Sequence, residues 1–162
     1  MANRVLVSAE DGMKGIAWLG AVEPFLLRVL SLLDLDSQEL SVFFCTDPFM
    51  RQLNARYRDV DESTDVLSFE NGECYTDEAG QVWHALGDII ISLDMLPKNS
   101  AYFSVPEDEE LKRLLVHGLL HLNGYDHGAE HIAPGVEPVC EMLKKQKQVL
   151  HDVQSETILR TL

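Results

Sequence analysis

From Leu111 to His127 the chain carries a pattern that leaves few folds open to it. Apolar residues at 111, 114, 115, 119 and 122 recur at the period of an α-helix and form one stripe. His117 and His121 lie on adjacent turns, about 40° apart along one edge of that stripe. Asn123-Gly124 supplies a stop signal, and the chain then returns with His127. A rigid helix aims two imidazoles at one point, and the glycine lets the chain reverse so that a third reaches it. Three nitrogen donors, with a fourth position left for water, is the arrangement of catalytic zinc sites. The spacing therefore predicts one zinc ion on His117, His121 and His127. A lone histidine on a helix face is more often a surface or core residue, and a pair can be incidental. Three at these offsets, in a chain with 6 histidines, are hard to attribute to chance. His131 is a competing third ligand.

The offsets match the metzincin pattern His-Glu-x-x-His-x-x-Gly-x-x-His at the histidines and the glycine. They fail at its second position. Those proteases place a glutamate there to activate water, whereas this chain has Gly118, so proteolysis by that mechanism is disfavoured. Gly118 falls within the apolar stripe, where a missing Cβ lets another element pack closely.

The rest of the sequence predicts what this helix packs against. Strand signals occur at Val5–Ser8, Leu40–Cys45, Asp65–Phe69 and Asp88–Leu93. Pro24 marks the first turn of a helix with Phe25, Leu26, Val29, Leu30 and Leu33 on its inner face, and another starts at Thr46-Asp47-Pro48 and runs toward Tyr57. Between Phe69 and Gly87 a polar stretch with Asn71-Gly72 and Ala79-Gly80 turn signals reads as a hairpin or an exposed loop. Ser104-Val105-Pro106-Glu107 fits a capping box for the histidine-bearing helix, with four acids at its positive end. A last helix is predicted over Val136–Val153, with Val139, Met142, Leu143 and Val149 or Leu150 inside. Alternating strands and helices make an α/β or α+β fold. With 162 residues, 46% of them hydrophobic, and no repeat, one domain over 1–162 is expected.

Composition excludes several classes. The longest run without a charged residue, Leu114–Tyr125, is far short of the roughly 20 apolar residues of a membrane span. Ser8-Ala9-Glu10-Asp11 follows the first apolar residues too soon for a signal peptide, so a cytoplasmic protein is expected. Cys45, Cys74 and Cys140 are too few and too scattered for a disulfide framework or a thiolate zinc site. A net charge of -14 argues against a polyanionic partner. The acidity is regional, however: residues 61–110 hold 13 acids and one base, while Arg51, Arg56 and Arg58 cluster. A local anion-binding surface is therefore compatible with the total.

The segment Leu53–Phe69, with Arg58 and the run Asp59-Val60-Asp61-Glu62-Ser63-Thr64-Asp65-Val66-Leu67-Ser68-Phe69, is the second constellation. Together with Leu86-Gly87-Asp88-Ile89 and His117-Gly118-Leu119-Leu120-His121-Leu122-Asn123-Gly124-Tyr125-Asp126-His127, it resembles the YbeY family of bacterial endoribonucleases, the ribosomal RNA maturation factors. The resemblance implies a compact α/β fold with a small mixed sheet packed with helices and the three-histidine zinc site at the end of a central helix. It also implies single-strand-specific RNA cleavage in small-subunit ribosomal RNA maturation and ribosome quality control, with RNA and the ribosome or its small subunit as partners, and neither DNA nor membrane. The implied ligands are His117, His121 and His127, and the arginine important for activity maps to Arg58. Asp65, Ser68 and Asp88 match family positions of structural or cleft-lining character. Two departures stand out: Glu70 where proline is common, and Gly128–Gly135 in place of an acidic run.

An arginine suits the clamping of a phosphate, and a three-histidine zinc suits Lewis-acid catalysis on it. Asp126, beside a ligand, reads as support for the site. RNA is expected along a cleft bounded by the zinc and by Arg51, Arg56 and Arg58, with the acidic 61–110 region mostly facing away. Two rival readings fit the same residues. One is a non-catalytic, zinc-stabilised ribosome-assembly factor, marked by a fourth protein ligand on the metal. The other is a hydrolase of peptides or small molecules, marked by a carboxylate reaching the zinc from elsewhere.

Overall fold

The structure, a computed structural model, describes residues 2–159. Its elements run β1 (Arg4–Ala9), α1 (Val22–Leu32), β2 (Gln38–Cys45), α2 (Asp47–Arg58), β3 (Val66–Thr76), β4 (Val82–Ser92), α3 (Met95–Phe103), α4 (Glu107–Leu122) and α5 (Glu141–Asp152). The four strands form one mixed sheet in the order β1-β2-β4-β3. β1, β2 and β4 are parallel, and β3 closes the edge antiparallel to β4. This is the small mixed sheet with helices that the resemblance implies.

Alternation along β2 sends Leu40, Val42 and Phe44 to one face and Phe43 and Cys45 to the other. The first face joins Val5, Ile89 and Ile91 in a core shared with α1 and α4, and the second packs on Met50, Leu53 and Phe49 of α2. α4 is buried well beyond a single stripe: Leu111, Leu114, Leu115, Val116, Leu119 and Leu120 are all fully enclosed. Each such side chain contributes about 1.5–3 kcal/mol of burial, so the helix that carries the histidines is also the centre of the core. Gly118 is where α4 meets the sheet. A Cβ added there would lie 2.8 Å from Cγ2 of Ile89 on β4, the close approach that its position in the stripe predicted.

Four local predictions are revised. Ser104 does not cap α4; it ends α3 in the left-handed conformation, with φ 56°. α4 instead begins at Glu107 behind Pro106, without a side-chain cap, and relies on Glu107, Asp108, Glu109 and Glu110 against the helix dipole. α3 itself went unpredicted, because Pro97 lies inside it and Leu96 is its single buried residue. The last helix starts at Glu141 rather than Val136, and Val139 is 75% exposed rather than inside. Gly135 and Pro138 keep that stretch non-helical, although Val136 and Val139 imitate helical spacing into Met142 and Leu143. Asn71-Gly72 is a bulge in the long β3–β4 hairpin, between Glu70 and Glu73, and the turn lies at Asp77–Gly80.

Candidate metal centre

α4 ends in a Schellman turn. Tyr125 N–H donates to the Leu120 carbonyl at 3.1 Å, and Gly124 N–H donates to that of His121 at 3.0 Å, with Gly124 at φ 89°. Only a residue free of the Cβ penalty takes that conformation cheaply. Asp126 then accepts from the Gly128 N–H at 2.9 Å, a bond that holds its carboxyl below the usual range and tightens the turn bearing His127. Asp126 thus supports the loop.

These turns bring the three rings together. Their centroids are 4.8 Å apart for His117 and His121, and 5.3 Å from His127 to each of the others. One ring nitrogen from each lies within 4.8 Å of the other two. His131 stays outside this triad, exposed, with its ring 5.1 Å from that of His127. Among the described residues the cluster offers three donors.

The donor chemistry fits a metal ion. Burial pushes His117 down to about 4, against the opposing effect of its hydrogen bond to Gln146, and burial also lowers His121, helped by the neighbouring His127. Both rings are therefore neutral at pH 7, with lone pairs available. Nδ1 of His117 donates to Oε1 of Gln146 at 2.8 Å, which fixes the tautomer and leaves Nε2 as the ligand atom. Nδ1 of His127 is buried without a hydrogen-bond partner. Three imidazole nitrogens that converge within 4.8 Å of one another are a donor set that suits a metal ion.

The histidines open onto a groove of about 910 Å³ that is also lined by Arg58, Ser68, Glu70, Tyr102, Arg113 and His131. Arg58, in the last turn of α2, lies across β3. Its Nη2 donates to the Ser68 carbonyl at 2.8 Å, and its guanidinium sits 5.1 Å from the centre of the Phe69 ring.

Arg51 and Arg56 do not join it, which corrects the expected three-arginine boundary. Arg51 is held by both carboxylate oxygens of Asp61, at 2.8 and 3.0 Å, beside a separate hollow, and Arg56 lies 5.4 Å from the Tyr57 ring. Helix geometry explains the split: Arg56 is about 200° around the axis from Arg58, and Arg51 is about 10 Å along it. Of the acidic 61–110 region, Asp65 and Glu70 line the groove. Asp65 is engaged by Asn99 at 2.9 Å and by Arg113 at 3.5 Å. Ser68 and Asp65 thus border the groove, while Asp88 hydrogen-bonds Ser41 across the sheet.

Sequence reasoning missed Gln146, Arg113, Tyr102 and Phe103. Gln146 had a signal, as a polar residue between Leu143 and Val149 on the inner face of α5, but its partner lies 29 positions away. Arg113 is clamped by Glu110 at 2.7 and 2.6 Å, a pair one helical turn apart.

Comparison with known proteins gives a consistent result. A family model described as endoribonuclease YbeY matches residues 16–154. An endoribonuclease YbeY of Treponema denticola is 46% identical over 160 residues, covering 99% of each chain. One of Treponema pallidum (strain Nichols) is 46% identical over 148 residues, covering 91% of this chain and 88% of its own. The solution structure of a Thermotoga maritima protein superposes with a TM-score of 0.59 at 25% identity, covering 97% of this chain and 96% of that one.

Proposed function

Since the chain belongs to the YbeY family of endoribonucleases, we propose that it is a zinc-dependent, single-strand-specific endoribonuclease acting in small-subunit ribosomal RNA maturation and ribosome quality control. Its partners in this reading are RNA and the ribosome or its small subunit, and its place is the cytoplasm. No described helix is long and apolar enough to cross a membrane, which is compatible with that placement.

The observation that carries the reading is the shared groove: a guanidinium and a three-nitrogen metal pocket face the same space. His117, His121 and His127 would hold the ion. A bound zinc ion supplies Lewis acidity toward a phosphate oxygen and lowers the pKa of water. The chain's own residues do the rest. Arg58 has one N–H tied to the Ser68 carbonyl, which orients the planar fork and leaves its other donors for a phosphodiester. Gln146 holds the His117 ring, and burial keeps His117 and His121 unprotonated at neutral pH. Three donors in the cluster support a catalytic rather than a closed structural site.

The test is cleavage of single-stranded and duplex RNA by the wild type, His117→Ala and Arg58→Ala, with metal content measured on each. The reading expects zinc-dependent cutting of single strands, lost with the metal in the first variant and lost despite retained metal in the second. Cleavage that survives removal of the metal would end it.

A further inference from the structure

We propose that Tyr102 is the base-stacking residue of this groove, the contact through which the site selects unpaired RNA. The inference rests on the reading of the groove as an RNA site.

Among the described residues, Tyr102 is the one large apolar side chain that both lines the groove and is exposed, at 62%. Core-forming reasons for an aromatic do not apply to it, since α3 buries only Leu96. Its position is braced. The Phe103 ring meets it at 4.8 Å and 77°, and Arg113 sits 4.9 Å from the Phe103 ring. Arg113 is in turn pinned by Glu110 and Asp65. A backed aromatic loses little further freedom when a base stacks on it.

Charge explains why such a contact is needed. The chain carries net charge -14, and its acidic residues Asp65, Glu70 and Glu130 line the groove. Arg113 spends its charge on Glu110 and Asp65, which leaves Arg58 as the arginine available to phosphate among those lining the groove. Attraction to the backbone therefore supplies little affinity, and stacking supplies it without charge. Stacking also discriminates, because only an unpaired base offers its face.

Position agrees with this role. β3 and α4 flank the groove together. Asp65, just before β3, meets Arg113 at one end, and Ser68 meets the Gly118 carbonyl at 3.5 Å further along. Along α4, Arg113 precedes His117 by about 6 Å and His121 by about 12 Å. The Tyr102 end thus lies to one side of the metal pocket, where a base flanking the cut would rest.

The experiment measures Kd and cleavage for a short single-stranded RNA, and for a set of copies each carrying one abasic position, with the wild type, Tyr102→Ala and Tyr102→Trp. Tyr102→Ala is expected to weaken binding on the order of 10-fold, Tyr102→Trp to retain it, and metal content to be the same in all three. One abasic position should weaken the wild type equally and cost Tyr102→Ala nothing more, a coupling that a purely structural role would not produce. Unchanged affinity in Tyr102→Ala, or abasic losses that add to it at every position, overturns the proposal. Wild-type binding that depends on Tyr102 without any cleavage would sustain it while removing the nuclease reading. A wild type that neither binds nor cuts RNA removes both.

Discussion

Oε1 of Gln146 lies 2.8 Å from Nδ1 of His117, so α5 reaches across to orient a ring on α4. Gln146→Ala is expected to weaken metal binding about 10- to 100-fold, the usual effect of removing a ligand's hydrogen-bond partner. Chelator competition measures it. Metal affinity equal to that of the wild type would show that packing alone fixes the ring.

The metal-free protein should lose stability as pH falls from about 6.5 to about 4. Burial depresses His117 to about 4 in the folded chain, against 6.5 for an ordinary histidine, so within this window the unfolded chain binds the extra proton. Stability then rises with pH through the window and is fully present above it; at the acid end the loss attributable to His117 is at most about 3 kcal/mol. Urea unfolding at pH 7 and pH 5 checks this, with His117→Gln as the reference expected to show a smaller loss.

Arg58→Ala should lower RNA cleavage on the order of 100-fold, the scale of losing one preorganised donor to a developing charge. Thermal stability should change little, because the bond to the Ser68 carbonyl is solvent-exposed. Arg58→Lys should recover only part of the rate, since an ammonium lacks the planar fork. Single-turnover rates on one RNA give the comparison.

Gly118→Ala should destabilise the fold although alanine is the better helix former. The gain in propensity is about 1 kcal/mol, while forcing a methyl against Ile89 costs about 1–3 kcal/mol. A lowered melting temperature and weaker metal binding are expected together, since the displaced helix carries two of the ligands. A second substitution, Ile89→Ala, should relieve part of the clash, which makes the pair less than additive.

Legibility of the site followed the distance over which its geometry is set. The histidine triad was readable because helix pitch and a glycine turn fix it within eleven residues. Arg58 came through the motif, yet its separation from Arg51 and Arg56 needed the helix phase and the competing Asp61. Gln146 and Tyr102 come from elements that approach α4 only through tertiary packing, and nothing local in the sequence names their partners. Boundaries failed where two signals overlapped: Ser104 can cap a helix or end one, and Val136 and Val139 extend an apolar spacing through a segment that Gly135 and Pro138 hold open.

The dependence of His117 on Gln146, and of the groove wall on Leu143, also sets an order in time. Translation delivers α4 before α5, so a growing chain has His117 and His121 in hand while the helix that steadies and walls them is still unmade. The cutting site is finished only once α5 has followed α4 off the ribosome. An enzyme proposed to act on ribosomal RNA thereby stays incomplete on the ribosome that makes it until α5 has emerged.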